Sequence, residues 1–181
     1  MKPAQSNKIK KKTTLKRFLI KRTLYYVLPN MFLNFIIAYA SFRDLGYTHF
    51  FAGTQNLARL TLPMATFLPV VLTIDIIKRV MVAAEQGNIE FMLDDTFNSK
   101  RLMTKLSILH GVITGLFVLF MLLFAQYNLS KYYKLDGTAM AILVGVLAGL
   151  LSALFTYLPI LRLKKYLYKP TVIVPSEADA Y

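Results

Sequence analysis

The chain has 181 residues, is 56% hydrophobic and has a mean hydropathy of +0.48, which excludes a polar or disordered composition. Cysteine is absent, which removes disulfides, thiolate nucleophiles, cysteine-ligated iron–sulfur clusters and thiolate zinc sites in one step. The net charge of +13 and the pI near 9.9 match a nucleic-acid binder in magnitude, so the placement of the charge has to decide what it means.

In chain order, residues 1–23 form a basic arm that carries nine of the 22 Lys and Arg. Such an arm attracts anionic lipid headgroups at ~1 kcal/mol per basic residue near the surface. Apolar runs follow at 24–42, 60–77, 106–125 and 139–161. A hydrocarbon core of ~30 Å needs about 20 helical residues at ~1.5 Å each, so every run predicts a transmembrane helix. Hydrocarbon offers no partner to backbone N–H and C=O groups, which forces helices on the runs, and four of them cannot close a barrel. The alternative of a soluble core fails on scale, because four such runs are more apolar surface than one core of this size needs.

Basic residues before, between and after the runs number 9, 2, 5, 2 and 4. They resist translocation, so the alternation places both termini and the middle loop in the cytoplasm and makes the excess charge a matter of topology, not of nucleic-acid binding. Aromatic residues mark both interfaces: Tyr25, Tyr26, Tyr166 and Tyr168 at one level, Tyr47, Phe50, Tyr127 and Tyr133 at the other. The pattern Ala38-Tyr39-Ala40 before Ser41 admits a cleaved secretory signal. The long basic region, and Pro29, Asn30 and Asn34 within the apolar stretch, favour a retained first helix.

The expected fold is an all-α membrane protein of four transmembrane helices in two tandem hairpins. The first hairpin is 24–77, the cytoplasmic loop 78–105, the second hairpin 106–161 and the cytoplasmic tail 162–181. Within the loop, 80–85 should continue the second helix until Gly87 breaks it, and Asn98 or Ser99 should cap the third. Glu85, Glu90, Asp94 and Asp95 there lack the oxygen spacing of a calcium loop and read as a solvated acidic face. The neighbouring Ile89, Phe91, Met92, Leu93 and Phe97 predict an amphipathic helix on the inner leaflet or a docking face. The tail beyond Pro170 reads as extended.

The segments 73–79 and 156–162 each open on threonine, share apolar spacing and close on arginine, a weak tandem match of low identity that, as a repeat, implies parallel units related by an axis along the membrane normal. In the first hairpin, Leu28-Pro29-Asn30, the glycine and aromatics of 46–51, Pro63, Pro69 and the closing Lys78-Arg79 cover about 55 residues. They resemble a bacterial domain-of-unknown-function family built as a short inner-membrane hairpin. That resemblance implies a bacterial inner-membrane location and no activity.

Polar side chains inside the runs are unfavourable in lipid and usually face a bundle interior. Asn30 and Asn34, four residues apart, share a face of the first helix and predict interhelical hydrogen bonds. Asp75, His110, Thr114 and Thr156 complete the expected polar vestibule, in which Asp75 and His110 are the ionisable pair. Asp75 also precedes Lys78 and Arg79 at helical ion-pair spacing. Gly111 with Gly115, and Gly145 with Gly149, form small-xxx-small pairs, which predicts that the third and fourth helices pack on each other or across a dimer. Pro63, Pro69 and Pro159 predict kinks. No residue set predicts catalysis, a metal or a cofactor. The expected function is therefore a structural or accessory subunit with homo-oligomeric or membrane-protein partners. The alternative is a small proton- or cation-coupled transporter or channel using the vestibule.

Overall fold

The structure is a computed structural model that describes residues 13–93, 98–129 and 133–169. It contains α1 (Leu15–Phe42), β1 (Tyr47–Thr48), α2 (Leu57–Glu85), β2 (Met92–Leu93), α3 (Ser99–Asn128), β3 (Leu135–Asp136), α4 (Gly137–Leu163), a 3-10 turn (Lys164–Tyr166) and β4 (Leu167–Tyr168). All four helices are long and apolar enough to cross a membrane, so the chain is an all-α, multi-pass membrane protein.

Each helix opens on a side chain that accepts a hydrogen bond from the first turn. Thr14 accepts from the Arg17 amide at 3.4 Å, Asn56 from Arg59 at 2.9 Å, Asn98 from Arg101 at 3.1 Å and Asp136 from Ala139 at 2.6 Å. These caps satisfy amides that would otherwise lack partners. Helix α2 ends at Glu85 before Gly87, whose φ of +64° suits glycine, as the sequence leads one to expect.

One boundary differs from the sequence reading. The first helix begins at Leu15, so residues 15–23 of the basic arm are helical and Leu28-Pro29-Asn30 lies inside α1. The uninterrupted apolar run starts at Leu24, but Leu15 and Leu19 are buried in the core and the Thr14 cap lets the helix start in the basic stretch. Residues 1–12 of the arm, Asp94, Asp95 and Phe97 of the loop, and the tail from 170 lie outside the described residues.

The loop after α2 also departs from the amphipathic-helix expectation. Ile89 is buried and bridges Thr13, while β2 pairs antiparallel with β4 in the register Met92↔Tyr168 and Leu93↔Leu167. Ile89 thus joins the core with Phe91 and Leu93 packed against it, while Met92 stays exposed. At the opposite end β1 pairs antiparallel with β3, Tyr47↔Asp136 and Thr48↔Leu135, and the Gly137 amide donates to the Gly46 carbonyl at 3.0 Å.

The helices pack extensively as α1 on α4, α2 on α3 and α2 on α4. The first helix of each hairpin therefore lies against the second helix of the other, and α2 and α4 form the centre. In α2 and α4, 44% of the most apolar window is buried, against 11% in α1 and 22% in α3. These helix pairings, and the pairing of β1 with β3 and β2 with β4, are those that a twofold axis along the bundle generates.

Burial follows the same relation residue by residue. Every exposed position of α1 falls on an exposed position of α3 at an offset of 84. At an offset of 83, Thr73, Ile77 and Val80 of α2 fall on Thr156, Ile160 and Leu163 of α4, all buried, and Phe67 and Val71 fall on Leu150 and Leu154, all exposed. The repeat indicated by the threonine-to-arginine segments thus extends through both halves.

Candidate functional site

The polar residues inside the helices form three separate groups. At the basic end of the α1–α2 crevice, Arg79 Nε donates to Asp75 Oδ2 at 2.7 Å, and the buried Tyr26 hydroxyl donates to the same oxygen. Asp75 and Arg79 are one helical turn apart, which allows the pair, while Tyr26 ties it to α1. Both charged side chains remain more than a third exposed, at 36% and 39%.

Between α1 and α4, Asn30 Nδ2 donates to Ser152 Oγ at 2.9 Å, and Ser152 Oγ in turn donates to the Ala148 carbonyl at 2.8 Å. Thr156 donates to the Ser152 carbonyl at 2.7 Å. Asn34 donates to the Asn30 carbonyl of its own helix at 2.8 Å, so of the two asparagines only Asn30 reaches another helix.

Between α2 and α3, Thr73 Oγ1 and His110 Nδ1 are hydrogen-bonded at 2.9 Å, and the His110 ring lies 5.0 Å from that of Phe155. Thr73 and Asp75 are two residues apart, about 200° around α2 at ~100° per residue. One faces α3 and the other α1. The ionisable pair of the expected vestibule is thus divided between two sides of one helix.

His110 and Thr114 line a groove between α3 and α4 with a volume of about 770 Å3, otherwise walled by leucine, isoleucine and phenylalanine and reaching Arg162 and Lys165. An adjoining cavity of about 390 Å3 shares Leu106, Leu109, Arg162 and Lys165 and adds Lys105. The groove exists because α3 leans on α2, not on α4.

The glycines explain that lean and correct the expected packing of α3 on α4. A Cβ at Gly111 would stand 2.5 Å from Val70 Cγ2 and 2.8 Å from the Thr66 carbonyl oxygen, and one at Gly115 would stand 2.5 Å from Thr66 Oγ1. Both glycines of α3 thus receive α2. A Cβ at Gly145 would meet Phe35 Cβ at 2.9 Å and the Met31 oxygen at 3.0 Å, and one at Gly149 would meet Met31 Cβ at 3.6 Å, so the glycines of α4 receive α1. Small-xxx-small spacing locates a close approach but does not name the partner helix.

No family model matches the chain, and no curated protein or solved structure matches it. Sequence reasoning missed three residues, of which Thr73 entered only as the start of the repeated segment. Tyr26 reads as an interfacial tyrosine, yet it lies four residues before Asn30 and eight before Asn34, on the same helical face. Ser152 sits among Ala148, Gly149 and Thr156, and that run of small residues is its only signal.

Proposed function

We propose that this protein is a non-enzymatic structural or accessory subunit of a bacterial inner-membrane complex, with both termini in the cytoplasm. The observation that carries the reading is the use of the internal polar groups. Tyr26, Asp75 and Arg79 bind one another, Asn30 binds Ser152, and Thr73 binds His110, so these groups tie helices together at three separate places. Charge-coupled transport calls for ionisable groups along a shared path. The location rests on the hairpin resemblance, and the orientation on the basic residues gathered where α1 and α3 begin and α2 and α4 end.

The flanking helices supply surface for association. On α3, Leu116, Phe117, Phe120 and Phe124 are all exposed, a broad apolar face for lipid or for a neighbouring subunit. Two measurements test the proposal together. In native electrophoresis of membranes solubilised in mild detergent, the protein should migrate in an assembly larger than its own mass. Reconstituted in liposomes under a pH gradient, wild type and Asp75→Asn should show the same proton leak. Migration as a free monomer, or a flux that Asp75→Asn abolishes, overturns the accessory reading, and the second result makes the protein a transporter.

A further inference from the structure

The twofold relation brings two crevices into correspondence, and among the described residues one of them lacks an anion. In the α1–α2 crevice, of about 400 Å3, Arg79 is held by Asp75. In the second half, Arg162 takes the place of Arg79, but the position of Asp75 is Leu158 and that of Val82 is Lys165. Lys105 joins them from α3. Among the described residues, Lys105, Arg162 and Lys165 take part in no ion pair. Beyond these three cations the apolar trough of about 770 Å3 runs between α3 and α4, walled by Ile113, Phe117, Leu154 and Leu158.

A cationic mouth at headgroup level that opens into hydrocarbon-lined space complements an anionic amphiphile, and basic pockets between transmembrane helices suit anionic lipid headgroups. The volume falls in the range of ligand pockets, roughly 300 to 1,000 Å3. We propose that the α3–α4 groove is a specific binding site for one anionic phospholipid, with its phosphate at Lys105, Arg162 and Lys165 and an acyl chain in the trough. Free phosphate has no chain to fill the trough, and a partner helix would have to bring acidic groups to the mouth. This site is separate from the electrostatic attraction of the N-terminal arm, because its cations come from the start of α3 and the end of α4.

The chain contains no tryptophan, so one introduced residue reports on one place. Leu154→Trp puts the reporter in the groove, and Val71→Trp puts it at the corresponding position of the other half; both parent residues are exposed. Each variant is reconstituted in phosphatidylcholine vesicles carrying either brominated phosphatidylglycerol or brominated phosphatidylcholine, and quenching is compared. At position 154 the anionic lipid should be preferred about fivefold or more, the equivalent of ~1 kcal/mol for one basic residue near the surface. At position 71 the two lipids should quench equally. Adding Arg162→Gln and Lys165→Gln should bring position 154 to equality.

Native mass spectrometry of the tryptophan-free protein should show phosphatidylglycerol retained over phosphatidylcholine, and the double glutamine variant should lose that retention. Equal quenching at position 154, or a preference that survives loss of both cations, overturns the proposal. So does quenching by neither lipid at position 154 while position 71 is quenched, because the groove is then filled by protein.

Discussion

The α1–α2 crevice and the α3–α4 groove occupy corresponding places in the two halves, and their contents differ. In the first, Tyr26, Asp75 and Arg79 close the basic end with the protein's own charges. In the second, the corresponding residues are His110, Leu158 and Arg162; His110 turns to Thr73, and the space between the helices stays open. The helical framework thus fixes where two sites can form, and one side chain, aspartate or leucine, decides whether the arginine is satisfied internally. The interfaces diverge in the same way. Gly115 of α3 receives Thr66 of α2, and at the corresponding place Gly149 of α4 receives Met31 of α1, so small and large residues have changed sides.

The packing comparison carries the largest expected effect. Gly111→Leu drives a side chain into Val70 and the Thr66 carbonyl, a backbone atom that cannot rotate away, and should cost about 2 kcal/mol or more. Gly149→Ala meets Met31 at ordinary contact distance, 3.6 Å, and should stay within about 0.5 kcal/mol of wild type. Unfolding titrations in mixed micelles measure both, and equal losses would show that the two interfaces are not packed as described.

Exchanging the residue that separates the crevices comes next. Leu158→Asp places a carboxylate one turn before Arg162, as Asp75 stands before Arg79, and should cut the preference for phosphatidylglycerol at the groove about fivefold, ~1 kcal/mol. Native mass spectrometry reads the change, and undiminished lipid retention would mean that Arg162 does not hold the headgroup.

Tyr26→Phe removes one hydrogen bond to Asp75 and leaves the ring in place. Because the carboxylate is more than a third exposed, the loss should be only about 1 kcal/mol. The Asp75→Asn change should reduce the effect of Tyr26→Phe in a double-mutant cycle. Additive losses would show that the contact carries no stability.

The smallest effects separate the two asparagines. Asn30→Ala breaks the tie to Ser152 and should cost ~0.6 kcal/mol, the average for hydrogen bonds between membrane helices. Asn34→Ala removes only a bond to its own helix and should cost less. The reverse order would place the α1–α4 tie at Asn34.

Much of the molecule was legible in the sequence, because the governing physics is local or comes from the solvent. Length and hydropathy specify four spanning helices whatever their neighbours, Asn98 and Gly87 mark ends through their own side-chain and backbone chemistry, and Asp75 and Arg79 meet because one helical turn separates them. Threonine-to-arginine segments 83 residues apart gave only a weak trace of the repeat, which burial along all four helices makes plain. Partner choice was decided only by the tertiary structure. A glycine row opens equally to any backbone, so nothing in Gly111 and Gly115 names α2, and nothing in Gly145 and Gly149 names α1. The same choice, which sets each first helix on the other hairpin's second helix, brings Tyr26 to Asp75, parts Asp75 from His110, and leaves the α3–α4 groove open. These contacts join residues far apart in the chain, and their energies depend on which surfaces meet in space, a property that no local run of residues encodes.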